Sequence, residues 1–252
     1  MKKAGTHAII QARMGSTRLP NKVLLPFVGD CTFLEWVVDR LRTSNVLEKV
    51  IVATTTNPLD DAIEALCIRR AYDYIRGSEE DVLNRYVEGA QKFGSTLIVR
   101  AISDNPLTDV LEMDRMIGIL ESEQLDYANN HPGGLPGGTG SEVFTHEAFK
   151  RVAKEAQDPY EHEHVTPYFY RHPELFIQRT VAPAVLHPFA PKVRLTLDTP
   201  EDLQMLRALA TGMDFSKPEE QPTTNEILTY LESHPELVEI NKAVVQKTFP
   251  KA

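Results

Sequence analysis

Three short segments of this sequence hold residues whose types and spacing suit phosphate and metal chemistry. In the first, "ARMGSTRLPNK" over 12–22, the cations Arg13, Arg18 and Lys22 alternate with Gly15, Ser16 and Thr17. Small residues let successive backbone N–H groups turn inward as an anion nest, while the cations add charge and Pro20 stiffens the loop. That combination suits a polyphosphate. The Gly-Lys-[Ser/Thr] ending of a Walker A loop is missing, and there is no G-x-G-x-x-G pattern, so the segment does not name its nucleotide. The same residue types would also fit a solvated loop with ordinary surface charge.

The second segment, "SDNPLTD", sets Asp104 directly after an apolar run that Pro106 stops. A carboxylate there is held at the edge of a sheet, and a hard cation such as magnesium needs one or two such groups beside phosphate oxygens and water. An Asx-turn is the competing role for Asp104, and Asp109 reads as the N-cap of "VLEMDRMIGIL". The third segment, "LTLDTPED", repeats the construction. Asp198 closes an apolar run, Thr199 and Pro200 open a helix, and Glu201 and Asp202 read as dipole partners in its first turn. Two strand-end aspartates with a cationic loop make a kit for metal-assisted phosphoryl transfer.

Other signals are weaker. "EHEHVTPYFYRH" offers His162, His164 and His172, but residues two apart on a helix splay, which favours a polar substrate contact or a subunit interface over a zinc site. "RGSEED" places Ser78 either at a helix N-cap or, with Gly77, in a turn against a base. Trp36, Tyr86 and Phe93 fall at helical spacing and read as core.

The intervening elements decide whether these segments can meet. "HAIIQA", "KVIVATT" and "TLIVRAI" are short β-branched runs separated by amphipathic stretches, the pattern of βαβ units with a mostly parallel sheet. One predicted helix carries Leu34, Val37, Val38 and Leu41 on a single face, a second Leu59, Ala62, Ile63, Leu66 and Cys67, and a third Val82, Leu83, Tyr86, Val87 and Ala90 up to Gly94. In an open α/β sheet, ligands lie beyond the carboxyl ends of the strands, which draws the three segments together. Over 132–141, Pro132, Pro136 and five glycines predict a mobile loop of the sort that binds ligands or forms lids. A helix over "THEAFKRVAKEA", a strand over "LFIQRTVA", a last strand over "VRLTLD" and two short helices split at Pro235 are expected after it.

A net charge of -9 argues against broad attachment to nucleic acid or anionic lipid, so the basic residues act as local anion sites. Cys31 and Cys67 form no C-x-x-C pair, which points to a reducing cytoplasm and to neither a disulfide nor a zinc framework. No apolar run reaches membrane-spanning length, and no cleavable leader pattern is present, so a soluble protein without membrane insertion is expected.

Taken in order, "IIQARMGSTRLPNKVLL", "GSEEDVLNRY", "SDNPLTD", "EHVTPY" and "RLTLDTPEDL" resemble the motifs of the spore-coat-polysaccharide-type cytidylyltransferases. These are relatives of the enzymes that make CMP-activated octulosonic and nonulosonic acids. The resemblance implies an α/β nucleotide-diphospho-sugar transferase fold, Rossmann-like, with a mixed, mostly parallel sheet and an elaborated C-terminal lobe. It implies one domain over 1–252, with a nucleotide-binding half to 125, an acceptor and dimerisation lobe over 126–212, and C-terminal helices over 213–252. The nucleotide-binding set it implies is Ala12, Arg13, Gly15, Ser16, Thr17, Arg18, Lys22, Gly77 and Ser78, with the last two reading cytosine. Lys22, Arg13 and Asp104 would be catalytic, Asp104 and Asp198 would hold Mg²⁺, and Arg100, Glu142, His164 and Arg194 are candidates for the acceptor. The reaction implied is attack by an acceptor hydroxyl on the α-phosphorus of CTP with loss of pyrophosphate, in a homodimer.

Two departures stand out. "SDNP" replaces the family's common Gly-Asp-Cys-Pro, and "GTGSEV" keeps Gly138 and Glu142 but has Gly140 where an acid is common. An atypical sugar acid or a non-sugar acceptor is therefore open. A nucleotide-sugar glycosyltransferase would want Asp-x-Asp, which "SDN" lacks, and a catalytically silent pathway subunit would have no need of Lys22, Asp104 and Asp198 together.

Overall fold

The computed structural model describes residues 2–130 and 134–245. Strands β1 (Lys3–Gln11), β4 (Leu47–Thr55), β5 (Asp73–Gly77) and β6 (Leu97–Ile102) are parallel neighbours in the order β5-β4-β1-β6. β8 (Glu142–Thr145) runs antiparallel to β6 and to β7 (Tyr127–Asn129), and β9 (Gln178–Thr180) closes the far edge parallel to β7. Among the described residues these seven strands form one mixed sheet, and β2 (Pro26–Val28) and β3 (Cys31–Thr32) make a separate small ribbon.

Side chains alternate across a strand, so each face of the sheet recruits its own helices. Ala8, Ile10, Val50, Val52 and Val99 pack under α1 (Phe33–Arg42), α2 (Asp61–Arg70) and α4 (Val110–Ser122). Ile9, Ile51, Ala53 and Ile98 pack on the other face under α3 (Val82–Phe93), α5 (His146–Glu155) and α7 (Pro167–Arg171). A third core joins Phe27, Phe33 and Trp36 to α8 (Pro200–Gly212), α9 (Thr224–Ser233) and α10 (Pro235–Glu239). Trp36 is stacked 6.0 Å from Phe215 there. Truncating a fully buried aromatic of this size costs about 3–5 kcal/mol, enough to tie the C-terminal helices to α1.

Helix starts follow side-chain chemistry. Thr32 and Glu35 make a capping box at α1, and Thr199 and Asp202 make one at α8 with Pro200 in its first turn. Asp109 caps α4 as its sequence suggests. At α3 the cap is Asp81, while the Ser78 hydroxyl accepts from the Asp81 N–H one turn earlier.

The structure differs from the sequence reading in four places. Leu59, expected on the apolar face of the second helix, precedes α2 and is 66% exposed. "VRLTLD" is extended but is not a sheet strand: it makes one bridge, Arg194 to Gly137, and its N–H groups at Leu195 and Leu197 reach the carbonyls of Gly137 and Asp104. "LFIQRTVA" contributes only the three residues of β9. The glycine-rich segment, expected to be mobile, is packed along its described part, with Pro136 and Gly138 to Ser141 buried, while Pro132 and Gly133 lie outside the described residues. Its Thr139 carbonyl accepts from the Asp109 N–H, and the Ser141 N–H donates to Asn130 Oδ1 at 2.8 Å. β5 escaped the pattern because Asp73 and Arg76 are poor strand formers and are tolerated here on an edge.

Candidate active site

The loop after β1 leaves the sheet where Ala12, buried, donates its N–H to the Ala53 carbonyl. Two residues on, the Met14 N–H donates to Asp60 Oδ1 at 2.7 Å, and Asp60 also accepts from the Thr55 hydroxyl at the end of β4. A buried carboxylate thus anchors the loop to the neighbouring strand. The Ser16 N–H turns back on the Met14 carbonyl and the Ser16 hydroxyl accepts from Leu19, so part of the expected nest is closed on itself. Gly15, Thr17 and Arg13 face solvent, with Arg13 3.9 Å from Glu79.

At the loop's end Lys22 turns inward. Its side chain is 12% exposed, and the ammonium donates to Asp104 Oδ2 at 2.8 Å, Asp198 Oδ1 at 3.0 Å and the Leu197 carbonyl at 2.7 Å. Arg18 reaches the same Asp198 oxygen at 2.9 Å, and Arg194 holds the other, Oδ2, at 2.6 Å. The backbone makes this meeting possible: the Asp104 carbonyl accepts from the Leu197 N–H and the Thr196 hydroxyl, which lays 195–198 beside the end of β6. Burial works against charge at both groups, yet the two carboxylates hold the Lys22 pKa above its ordinary value, and Lys22, Arg18 and Arg194 hold that of Asp198 below its own.

Gly77 ends β5, at the other edge of the sheet, and Ser78 follows it. Arg85, buried in α3, donates to the Ser78 carbonyl at 2.7 Å, and a Cβ on Gly77 would stand 2.8 Å from Arg85 Cγ. Arg100 and Glu142 are cross-strand partners on β6 and β8, paired at 2.6 Å, with the Tyr127 hydroxyl donating to Glu142 at 2.5 Å. Arg100, Asn105, Thr108, Gly140, Ser141 and Glu142 enclose a small cavity of about 20 Å³. His164 ends α6 (Pro159–His164) with its ring 4.3 Å from that of Tyr160, while His162 pairs instead with Asp81. The structure therefore groups Lys22, Arg18, Asp104, Asp198 and Arg194, and separately joins Arg100 to Glu142. A larger cavity of about 390 Å³, lined by Lys3, Thr96, Glu121 and Asp126 among others, opens at the amino ends of β1 and β6, the wrong end of the strands for a ligand in such a sheet.

A profile described as cytidylyltransferase matches residues 7–227. The chain belongs to the cytidylyltransferase family. This cytidylyltransferase is 37% identical over 239 residues to the spore coat polysaccharide biosynthesis protein SpsF of Bacillus subtilis, covering 90% of this chain and 94% of the relative. A cytidylyltransferase from Leptospira borgpetersenii superposes with a TM-score of 0.83 at 29% identity, over 98% of this chain and 100% of that one. The CMP-2-keto-3-deoxy-manno-octonic acid synthetase complexed with CTP shares the fold, with a TM-score of 0.63 at 18% identity over 82% of this chain and 99% of that one.

Asp60, Asp202 and Asn241 also hold site residues in place in this cytidylyltransferase. Asp60 closely follows the carboxyl end of β4, so the strand-end rule that located Asp104 could also have located it. Asp202 looked like a simple dipole partner, and Asn241 carried no signal. Both surround Arg194: Asp202 accepts from Arg194 Nε at 2.9 Å and from Asn241 Nδ2 at 2.9 Å.

Proposed function

We propose that the protein transfers CMP from CTP to a hydroxyl of a small acidic acceptor, a 2-keto sugar acid of the octulosonic or nonulosonic class, with release of pyrophosphate, in cell-envelope polysaccharide synthesis. The observation that carries this reading is the Lys22 ammonium held between Asp104 and Asp198, with Arg18 on the same Asp198 oxygen. Two carboxylates that already converge on one cation fit a hard divalent ion whose remaining ligands are triphosphate oxygens and water. Among the described residues no third His, Cys, Asp or Glu completes an all-protein cage, as suits an ion that arrives with phosphate.

In this reading Asp104 and Asp198 hold Mg²⁺, which when bound offsets negative charge on the phosphate oxygens. Lys22, Arg18 and Arg13 bind and orient the triphosphate, aided by Ala12, Gly15, Ser16 and Thr17 along the loop. Phosphates at the β6 end of the sheet direct the base toward β4 and β5, where Gly77 and Ser78 lie. The acceptor hydroxyl attacks the α-phosphorus in line as the bond to the bridging oxygen breaks, pyrophosphate leaves and the hydroxyl proton passes to solvent, a step governed by alignment and by charge placed in advance. The acceptor lies toward Arg100, Glu142 and His164. Arg194, bonded to both Asp198 and Asp202, serves the carboxylates in this reading and not the acceptor. A homodimer working in the cytoplasm belongs to the same proposal.

Calorimetry with CTP, UTP, ATP and GTP, each with Mg²⁺, tests the nucleotide, and pyrophosphate release with a panel of keto sugar acids tests the acceptor. CTP alone should bind tightly. Preference for another nucleotide would overturn the reading. Asp104→Asn should reduce turnover by at least about 100-fold, the scale of losing a charge-placing group, with an unchanged circular dichroism spectrum; retained turnover would remove Asp104 from the metal site.

A further inference from the structure

We infer that Asp202 and Asn241 are positioning residues for Asp198, acting through Arg194 to present one particular oxygen of that carboxylate to the metal. The inference rests on the reading of Asp198 as a metal ligand.

A helix cap asks little of its N3 acid. In a capping box that side chain accepts one bond, from the N-cap N–H. Asp202 makes that bond with Thr199 at 3.0 Å and then exceeds it. The same oxygen accepts from the Asp198 N–H at 2.9 Å and from Arg194 Nη2 at 3.2 Å, and the other accepts from Arg194 Nε and Asn241 Nδ2, both at 2.9 Å. Its side chain is 0% exposed. A carboxylate this enclosed requires charge compensation, and Arg194 provides it.

Asn241, buried just beyond α10, completes the clamp. Its amide nitrogen donates to Asp202 and, at 3.1 Å, to the Arg194 carbonyl. One side chain from the end of the chain thus fixes both the backbone of Arg194 and the acid that holds its guanidinium.

The consequence falls on Asp198. Its two oxygens have different partners: Oδ2 accepts from Arg194, whereas Oδ1 takes both Lys22 and Arg18. When a triphosphate draws Lys22 and Arg18 away, Oδ1 is the oxygen released, and Arg194 keeps the carboxylate from rotating. Asp202 in turn keeps Arg194 from spreading across both oxygens of Asp198 and displacing the metal. Outer partners that orient a metal ligand in this way typically change metal affinity by about 10–100-fold when removed.

The test is Mn²⁺ binding to the full chain in the presence of CTP, followed by electron paramagnetic resonance of the free ion, for the wild type, Asp202→Asn and Asn241→Ala. CTP affinity without metal, thermal midpoint and turnover against Mn²⁺ concentration are measured alongside. Mn²⁺ binding should weaken about tenfold in Asp202→Asn, and in the same direction but less in Asn241→Ala. CTP affinity without metal should stay within about twofold, and high Mn²⁺ should restore turnover. A merely structural role would lower the thermal midpoint without any rescue by metal, and that result, or unchanged Mn²⁺ binding in the variants, overturns the inference. If Asp202→Asn does not fold, Asn241→Ala decides alone. Absence of Mn²⁺ binding in the wild type would overturn the metal assignment and this inference with it, whereas wild-type binding with unaltered variants overturns this inference only.

Discussion

Lys22 occupies the ground that a divalent ion would take. Its ammonium is within 3.0 Å of both Asp104 and Asp198, so under the proposed function metal and lysine would compete for the same two carboxylates until a triphosphate gave the lysine another partner. Replacing Lys22 by Met should therefore have two opposite effects. CTP binding weakens, because a cation for the phosphates is lost, while Mn²⁺ alone binds more tightly than it does to the wild type. Removing one partner of a buried pair costs about 3–5 kcal/mol, less here because Arg18 and Arg194 remain on Asp198, and added Mn²⁺ should recover part of the lost thermal midpoint. Calorimetric titration with Mn²⁺ in the absence of nucleotide checks this; equal affinity in variant and wild type would mean that Lys22 does not hold the metal's place.

The element that brings Asp198 to Asp104 is the extended stretch Arg194 to Asp198, and its close approach to the glycine-rich segment depends on Gly138. That glycine has φ +96°, and a Cβ there would lie 2.7 Å from the Leu195 carbonyl and 2.8 Å from the Thr196 nitrogen. Backbone atoms cannot swing aside as a side-chain end can. Gly138→Ala should cost at least about 1–3 kcal/mol from strain and overpacking and push the Asp198 segment away from Asp104, raising the metal concentration needed for turnover. Gly137→Ala is the control, since nothing lies within 4 Å of its Cβ position; its unfolding free energy should change by no more than about 0.5 kcal/mol. Equal losses in the two variants would show that the close approach at Gly138 is not what sets this geometry.

Across the whole molecule, α6 is fastened to the start of α3 by a titratable contact. His162 on α6 lies 2.9 Å from Asp81, the cap of α3. The hydrogen bond to Asp81 is the main cause of a His162 pKa raised above 6.5, with burial opposing it. A histidine whose folded pKa is raised adds stability that is fully present below the unfolded value and is lost as pH rises through the folded value. The thermal midpoints of wild type and His162→Gln should therefore differ most near about pH 5.5–6 and converge as the imidazole deprotonates above its ordinary pKa of about 6.5. A gap that is constant across the range would assign the contact to packing and not to charge.

Periodicity carried β1, β4 and β6, the helices between them and the cores on both faces, because apolar alternation and helical spacing are local properties. Residue type next to apolar runs singled out Asp104 and Asp198 for the same reason, since each follows such a run within its own segment, and the fold brings both to the Lys22 ammonium. The family was legible in ordered motifs and agrees with the matched span 7–227. Tertiary structure alone decided the rest. "VRLTLD" looks like a strand and packs as an extended arm, because its partners are loop carbonyls at Gly137 and Asp104 that no local pattern announces. Arg194 looked available to a ligand, yet it is enclosed by Asp198, Asp202 and an asparagine from the far end of the chain. Charge pairing acts through space, so a sequence gives the inventory of charged groups and only the fold determines which of them remain for substrate.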